Sequence, residues 1–255
     1  MRRKLSVHLL PDLCPPEVLR GGTTVVIDVL RASSTIVTAL QNGASAVSPC
    51  GSPEEAESIR DQYPAGQVVL GGERGGVRIE GFDLGNSPAE YTAEAVGKRL
   101  LAFTTTNGTR ALLRSLSSRS ILIGCFLNLA AIVQRLQDGG ADLHLVCAGT
   151  DGVVTGEDVL FAGATVSALV NDQPESWVQN DSAQLASRLW SSVVAGATDP
   201  ASAVHDFLRG TRGGQNLLAL GYDSDIRLCS QISTTAVVPE YDLQSGELQN
   251  TGGAV

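Results

Sequence analysis

Residues 25–35 read VVIDVLRASST. An apolar run ends on the carboxylate of Asp28. The guanidinium of Arg31 and the hydroxyls of Ser33, Ser34 and Thr35 follow at once. A core has no use for those groups, whereas a site that handles an anion with the help of a metal uses all of them. Similar groups recur along the chain. Glu73 and Arg74 end another apolar run, and Asn86 and Ser87 close a Gly-rich stretch. Thr104, Thr105, Thr106, Asn107, Thr109 and Arg110 follow RLLAF, Asn128 follows SILIGCFL, and Thr150, Asp151, Glu157 and Asp158 follow ADLHLVCAG.

These residues share a chemistry. Hydroxyls and amides at helix N-termini come with free backbone N–H groups and the positive end of the helix dipole, both suited to anions. Arg31, Arg74, Arg78 and Arg110 add charge-assisted donors for phosphate, sulfonate or carboxylate. Asp28, Glu73, Asp151, Glu157 and Asp158 are hard oxygen donors, which suit Mg²⁺. Each cluster also has a plain structural reading. Asp28 could cap a helix, Ser33 to Thr35 could decorate a first turn, and acids such as Glu157 and Asp158 favour any helix start. Only their convergence favours a site.

Apolar strands alternate with helical stretches from the N-terminus to about residue 170. TTVVIDV (23–29) precedes ASSTIVTALQNG, ASAVSPC (44–50) precedes PEEAESIRDQY, and QVVLGG (67–72) precedes a helix over 87–97 with Ser87 as its cap. RLLAFTT (99–105), SILIGC (120–125) and ADLHLVCAG (141–149) each precede a helix, the second capped by Asn128. Residues from 170 to about 229 read as helical, and TTAVVPEY (234–241) reads as a last strand. The pattern predicts an α/β fold: a mainly parallel sheet flanked by helices, as one unit over 1–241 or as two α/β lobes, with a helical C-terminal segment and a loose polar tail over 242–255. In parallel α/β sheets ligands bind at the carboxyl ends of the strands, and the polar clusters fall on that one edge.

Composition narrows the field. A net charge of −9 disfavours a nucleic-acid partner, and no apolar run is long enough for a membrane helix. Five cysteines without CxxC spacing read as free thiols in a reducing cytosol. Cys14 and Arg20 have Cys-x5-Arg spacing, but Pro15 and Pro16 remove the N–H groups that a thiolate phosphatase loop needs. His8, His144 and His205 stand isolated in the sequence, and no GxxxxGK[ST] loop is present. The partner that fits is a small, multiply anionic molecule, and a homo-oligomer is compatible with the reading.

In order along the chain, IDVLRASST, LGGERGGVRIEGFDLGNSPAEY, TTTNGTRAL, FLNLAAIV, AGTDGVVTGEDVLFAGA and GYDSDIRLCSQ closely resemble the 2-phosphosulfolactate phosphatase family, over roughly residues 5 to 240. The resemblance implies a magnesium-dependent hydrolase that converts phosphosulfolactate to sulfolactate and phosphate, a step in coenzyme M biosynthesis. It implies a family-specific α/β architecture as well. The expected roles follow. Mg²⁺ is held by Asp28 with one or more of Glu73, Glu157 and Asp158, and Arg31 and Arg74 neutralise developing charge. Ser33, Ser34, Thr35, Asn86, Ser87, Thr105, Thr106, Asn107, Thr109, Arg110 and Asn128 bind substrate. The nucleophile is a metal-activated water or Asp28 itself. Two other classes stay open: a non-catalytic sensor of anionic metabolites, and a metal-dependent lyase or transferase.

Overall fold

Strand β2 (Thr23–Ile27) has every residue after Thr23 buried. A strand covered on both faces belongs at the centre of an α/β sheet. In the computed structural model, which describes residues 2–253, β2 lies between β7 (Ser120–Gly124) and β8 (Leu143–Cys147), parallel to both. Burying Val25, Val26 and Ile27 contributes roughly 1.5–3 kcal/mol each relative to exposure. β8 pairs in parallel with β1 (Arg3–His8), and β1 with the edge strand β9 (Trp177–Gln179).

A second parallel group consists of β3 (Ala46–Pro49), β6 (Leu100–Thr104) and β4 (Val68–Arg74), with the short β5 (Val77–Arg78) antiparallel at its edge. The two groups are joined by a hairpin of β10 (Pro239–Asp242) and β11 (Glu247–Asn250). Among the described residues the order is β5-β4-β6-β3-β11-β10-β7-β2-β8-β1-β9, eleven strands. The hairpin overturns the loose tail expected from residue 242. Leu248 is completely buried and pairs with Val47, and that burial outweighs the polar, Gly-rich composition around it.

The hairpin also corrects the expectation of one carboxyl edge. β10 is antiparallel to β7, β11 to β10, and β11 to β3. The two parallel groups therefore run in opposite senses. On a flat sheet their carboxyl ends would face apart. Each joint to the hairpin is a single residue pair, Glu240 with Leu122 and Leu248 with Val47, so the sheet is free to turn there. The carboxyl ends of both groups meet around one cavity.

The helices cover the sheet. α1 (Ala32–Gln41), α2 (Pro53–Arg60), α3 (Ala93–Val96) and α4 (Gly108–Arg114) belong to the first part of the chain. α5 (Leu129–Gln137), α6 (Gly156–Asp172) and α7 (Asp181–Val194) follow, and then the short α8 (Pro200–Gly210), α9 (Arg212–Ala219) and α10 (Asp223–Cys229). Two of the expected elements are shorter. The helix over 87–97 breaks into a 3₁₀ turn (Pro88–Glu90) and α3, because Tyr91 leaves helical geometry to bury its ring and bond Gly85 O at 2.6 Å. The last strand begins only at Pro239, since Thr235 N–H bonds Leu127 O and Val237 O accepts from Asn128. No helix among the described residues is long and apolar enough to cross a membrane.

Candidate active site

The cavity between the strand tips and the C-terminal helices measures about 370 Å³. Asp28, Glu73, Asn86, Thr106, Asn107, Thr150 and Asp151 line one side, with Arg31 and the Gly75–Gly76 turn. Gly213, Asn216, Leu217 and Ala219 of α9, with Leu220 just past its end, line the other. Nine of these residues come from carboxyl ends of strands or the turns just beyond them. The cavity thus occupies the position where ligands bind in such sheets, shared here by two strand groups of opposite sense.

Asp28 sits one residue past β2. Its backbone N–H donates to Ser33 Oγ at 2.9 Å, and its Oδ1 accepts only a long 3.3 Å bond from Ala32 N–H. Burial pushes the carboxyl up to about 7, and the charges of Glu73 and Glu157 push the same way, while the Ala32 bond and Arg31 pull down. Glu73 is fastened at both oxygens, accepting from Thr106 N–H at 2.9 Å and Gly76 N–H at 2.7 Å. It thereby ties the tips of β4 and β6 together.

Glu157 and Asp158 lie behind this wall at the start of α6, and both are buried. Asp158 clamps two strand ends, accepting from Val29 N–H at 2.9 Å and Gly149 N–H at 3.0 Å. Burial, then Asp28 and Glu157, raise its carboxyl well above the ordinary range. Glu157 is also raised, chiefly by burial, and its Oε2 has no hydrogen-bond partner.

Arg31 is held on three sides. Nη1 donates to Asp225 Oδ2 at 2.7 Å, Nη2 donates to Gly76 O at 2.9 Å, and the guanidinium lies 4.3 Å from the centre of the Tyr222 ring. Asn86 faces the same space with Oδ1 unpartnered, while its carbonyl accepts from Thr35 Oγ1.

Several expected site residues lie outside the cavity. Ser33, Ser34 and Thr35 are buried and fasten the turn around Asp28, with Ser34 Oγ donating to Val29 O at 2.9 Å. Thr105 and Thr109 close the first turn of α4 on one another. Ser87 donates to Asp225 Oδ1 at 2.8 Å. Asn128 is fully buried, accepting from Cys125 N–H and donating to Ile123 O and Val237 O. Arg110 pairs with Asp12 at the surface. Arg74 donates to Glu73 O and Thr104 Oγ1. Successive strand residues point to opposite faces, so Glu73 turning inward sends Arg74 away.

The histidines also depart from expectation. Pairing of β1 with β8 sets His8 Nε2 3.2 Å from His144 Nδ1, with the rings stacked. Burial and the neighbouring ring push His8 down to about 4. Cys14 is buried and its thiol is pushed up to about 11, so it is no thiolate nucleophile. Sequence reasoning missed Asp225, Tyr222 and Asn216. Asp225 lies inside GYDSDIRLCSQ, and a buried partner for Arg31 was the available signal.

A scan against family models matches residues 8–244 to the model described as 2-phosphosulpholactate phosphatase. A protein of Symbiobacterium thermophilum named probable 2-phosphosulfolactate phosphatase is 40% identical over 231 residues, covering 90% of this chain and 95% of that protein. A protein of the same name from Thermotoga petrophila is 39% identical over 226 residues, covering 89% and 91%. One from Synechococcus sp. is 37% identical over 244 residues, covering 94% and 96%. With that match over nearly the whole chain, the chain belongs to the 2-phosphosulpholactate phosphatase family.

Proposed function

We propose that this chain is a magnesium-dependent phosphatase that hydrolyses 2-phosphosulfolactate, or a closely similar phosphorylated hydroxy acid, to the free hydroxy acid and phosphate. The observation that carries the reading is Asp28. It is a buried carboxylate with one long hydrogen bond, facing a cavity beside Arg31 and Asn86.

The donor set fits a hard divalent cation. Glu73 and Glu157 stand near enough to Asp28 to help raise its carboxyl, and a cation would offset that repulsion. Among the described residues no three Asp, Glu, His or Cys side chains form a ready-made metal cage. Mg²⁺ does not need one, since it is usually held by one or two carboxylates together with water and substrate phosphate oxygens. Asp28 and Glu73 are the residues that would hold it, with the unpartnered Glu157 Oε2 behind them. When bound, the ion supplies Lewis-acid polarisation of the phosphoryl group.

The chain's own residues do the remaining work. Arg31 donates to substrate oxyanions from a fixed orientation. The Asn86 amide, unpartnered at Oδ1, matches a substrate hydroxyl or oxyanion according to which end it presents. Leu217 and Leu220 exclude water on the opposite side and so strengthen the polar contacts within. Asp28 takes the reacting role, by attack on phosphorus or by accepting a proton from the attacking water. Acid quench of single turnovers with radiolabelled phosphate in the substrate separates the two, because only the covalent route leaves phosphate bound to Asp28.

The test of function is phosphate release from 2-phosphosulfolactate and from a panel of small phosphorylated hydroxy acids, with Mg²⁺ and with EDTA. Release that EDTA abolishes and Mg²⁺ restores supports the reading. Full turnover after exhaustive chelation removes the metal role, and no release from any panel member removes the phosphatase.

A further inference from the structure

Arg31 is buried, yet it lines the cavity, and a long side chain in that position needs something to aim it. Its principal partner is Asp225, which lies 194 residues away in sequence on α10. Both side chains are 2% exposed. We propose that Asp225 is a positioning residue: it fixes the Arg31 guanidinium so that the donors left over meet an anionic group bound in the cavity. The inference rests on the reading of the cavity as an anion site.

Stability alone gives a poor reason for this pair. A buried ion pair is often no more stabilising than apolar residues of the same volume, because desolvation offsets the attraction. Geometry gives a better one. Asp225 is itself held, since Oδ1 accepts from Ser87 Oγ at 2.8 Å while Oδ2 accepts from Arg31 Nη1. Ser87 is in turn buried on the segment that carries Asn86 into the cavity. The Tyr222 ring covers one face of the guanidinium, and Gly76 O takes one Nη2 hydrogen. The fork can then neither rotate nor withdraw.

A guanidinium has five N–H donors, and the two hydrogen bonds to Asp225 and Gly76 leave three. The charge of Arg31 is already balanced by Asp225. What the pair offers an incoming anion is therefore directed hydrogen bonding more than net positive charge. The four-carbon ammonium of a lysine could not satisfy Asp225, Gly76 O and a ligand in one plane. α10 thus acts on the reaction site without touching substrate.

The experiment uses the full chain with magnesium chloride present throughout, and reads two quantities. Binding of inorganic phosphate is measured by calorimetry, and phosphate release from 2-phosphosulfolactate gives kcat and KM. Asp225→Asn should weaken phosphate binding and raise KM by at least about tenfold, and Ser87→Ala, a milder change, by about threefold. In an Arg31→Met background, Asp225→Asn should add less than about twofold, because its effect runs through Arg31. A merely structural role predicts losses that multiply in that background, and such a result would overturn the proposal. So would an Asp225→Asn chain that melts cooperatively and binds phosphate like the wild type. If Asp225→Asn does not fold, Ser87→Ala alone and in the Arg31→Met background decides. A wild-type chain that binds phosphate but releases none from substrate defeats the phosphatase reading and leaves the binding comparison to judge Asp225. A wild-type chain that binds no phosphate defeats the anion role of Arg31 and this proposal with it.

Discussion

The two walls of the cavity are built on different principles. The strand-tip wall carries Asp28, Glu73, Thr106, Asn107 and Asp151 on short turns whose backbones are anchored by the sheet ladder. The helical wall presents Gly213, Leu217 and Ala219 from one short helix and Leu220 from its C-terminal cap, with Asn216 as its polar contribution. Charge is placed where the backbone is stiffest, and shape is placed where a helix can settle against it. On this view, changes on the first wall should alter rate, and changes on the second should alter binding and stability.

The sharpest break is Asp28→Asn. The side chain keeps its volume and loses its charge, so kcat/KM should fall at least about a hundredfold, or ~3 kcal/mol of transition-state stabilisation. Metal-free stability should move the other way at high pH. The folded carboxyl titrates near 7 against an ordinary 3.8. Between those values the native state binds more protons than the unfolded one, so stability falls as pH rises through the window and the penalty is full above it. In EDTA the Asn variant should melt higher than the wild type at pH 8 and level with it at pH 3.5. Near-normal phosphate release from a stable variant would end the role given to Asp28.

Gly213→Ala tests whether the helical wall is only shape. A methyl group there would overlap Glu157 Oε1, on a helix start that holds two buried acids. Overpacking of this kind costs ~1–3 kcal/mol, so the melting temperature should drop and kcat/KM should fall by about tenfold. An unchanged melt would show that α9 can shift freely, and would loosen the link between the walls. Leu220→Ala should have a smaller effect. It leaves Glu157 alone and opens the apolar side, and KM should rise about threefold with kcat within about twofold, the pattern of lost ground-state binding. A kcat loss larger than the KM change would move Leu220 into the reacting geometry. Arg74→Lys should do least. The side chain points away from the cavity, so both constants should stay within about twofold of wild type. A larger change would bring Arg74 back into the site.

The strand-tip wall was legible in the sequence, and the helical wall was not. A polar cluster after an apolar run marks the end of a buried strand, and Asp28, Glu73, Thr106 and Asn107 were found that way. The same signal overreached where hydroxyls serve the backbone. Ser33, Ser34 and Thr35 sit in a convincing anion-binding pattern, but their oxygens are spent on local turns. Period-two alternation in β4 could have separated Glu73 from Arg74, and the two were read as one cluster. Asp225 escaped because it belongs to a short amphipathic helix where an acid at the start is ordinary. Its meaning depends on a contact 194 residues away, which no local pattern encodes. The opposite sense of the two strand groups was hidden for the same reason. It is set by a hairpin whose composition resembles a tail.

That hairpin has a consequence for the growing chain. β10 and β11 follow every other strand in sequence, yet they fill the middle of the sheet. During synthesis on the ribosome, β7 and β3 emerge long before the strands that cover their inner flanks. Until residues 239–250 arrive, each half exposes an unpaired row of N–H and C=O groups, a template for pairing with another nascent chain. Synthesis lays down β1 and β2 of one group, then β3, β4, β5 and β6 of the other, then β7, β8 and β9 of the first, and the hairpin that fills the space between the groups comes last. A pause or cut ahead of Pro239 would leave both inner flanks open to pairing with another chain.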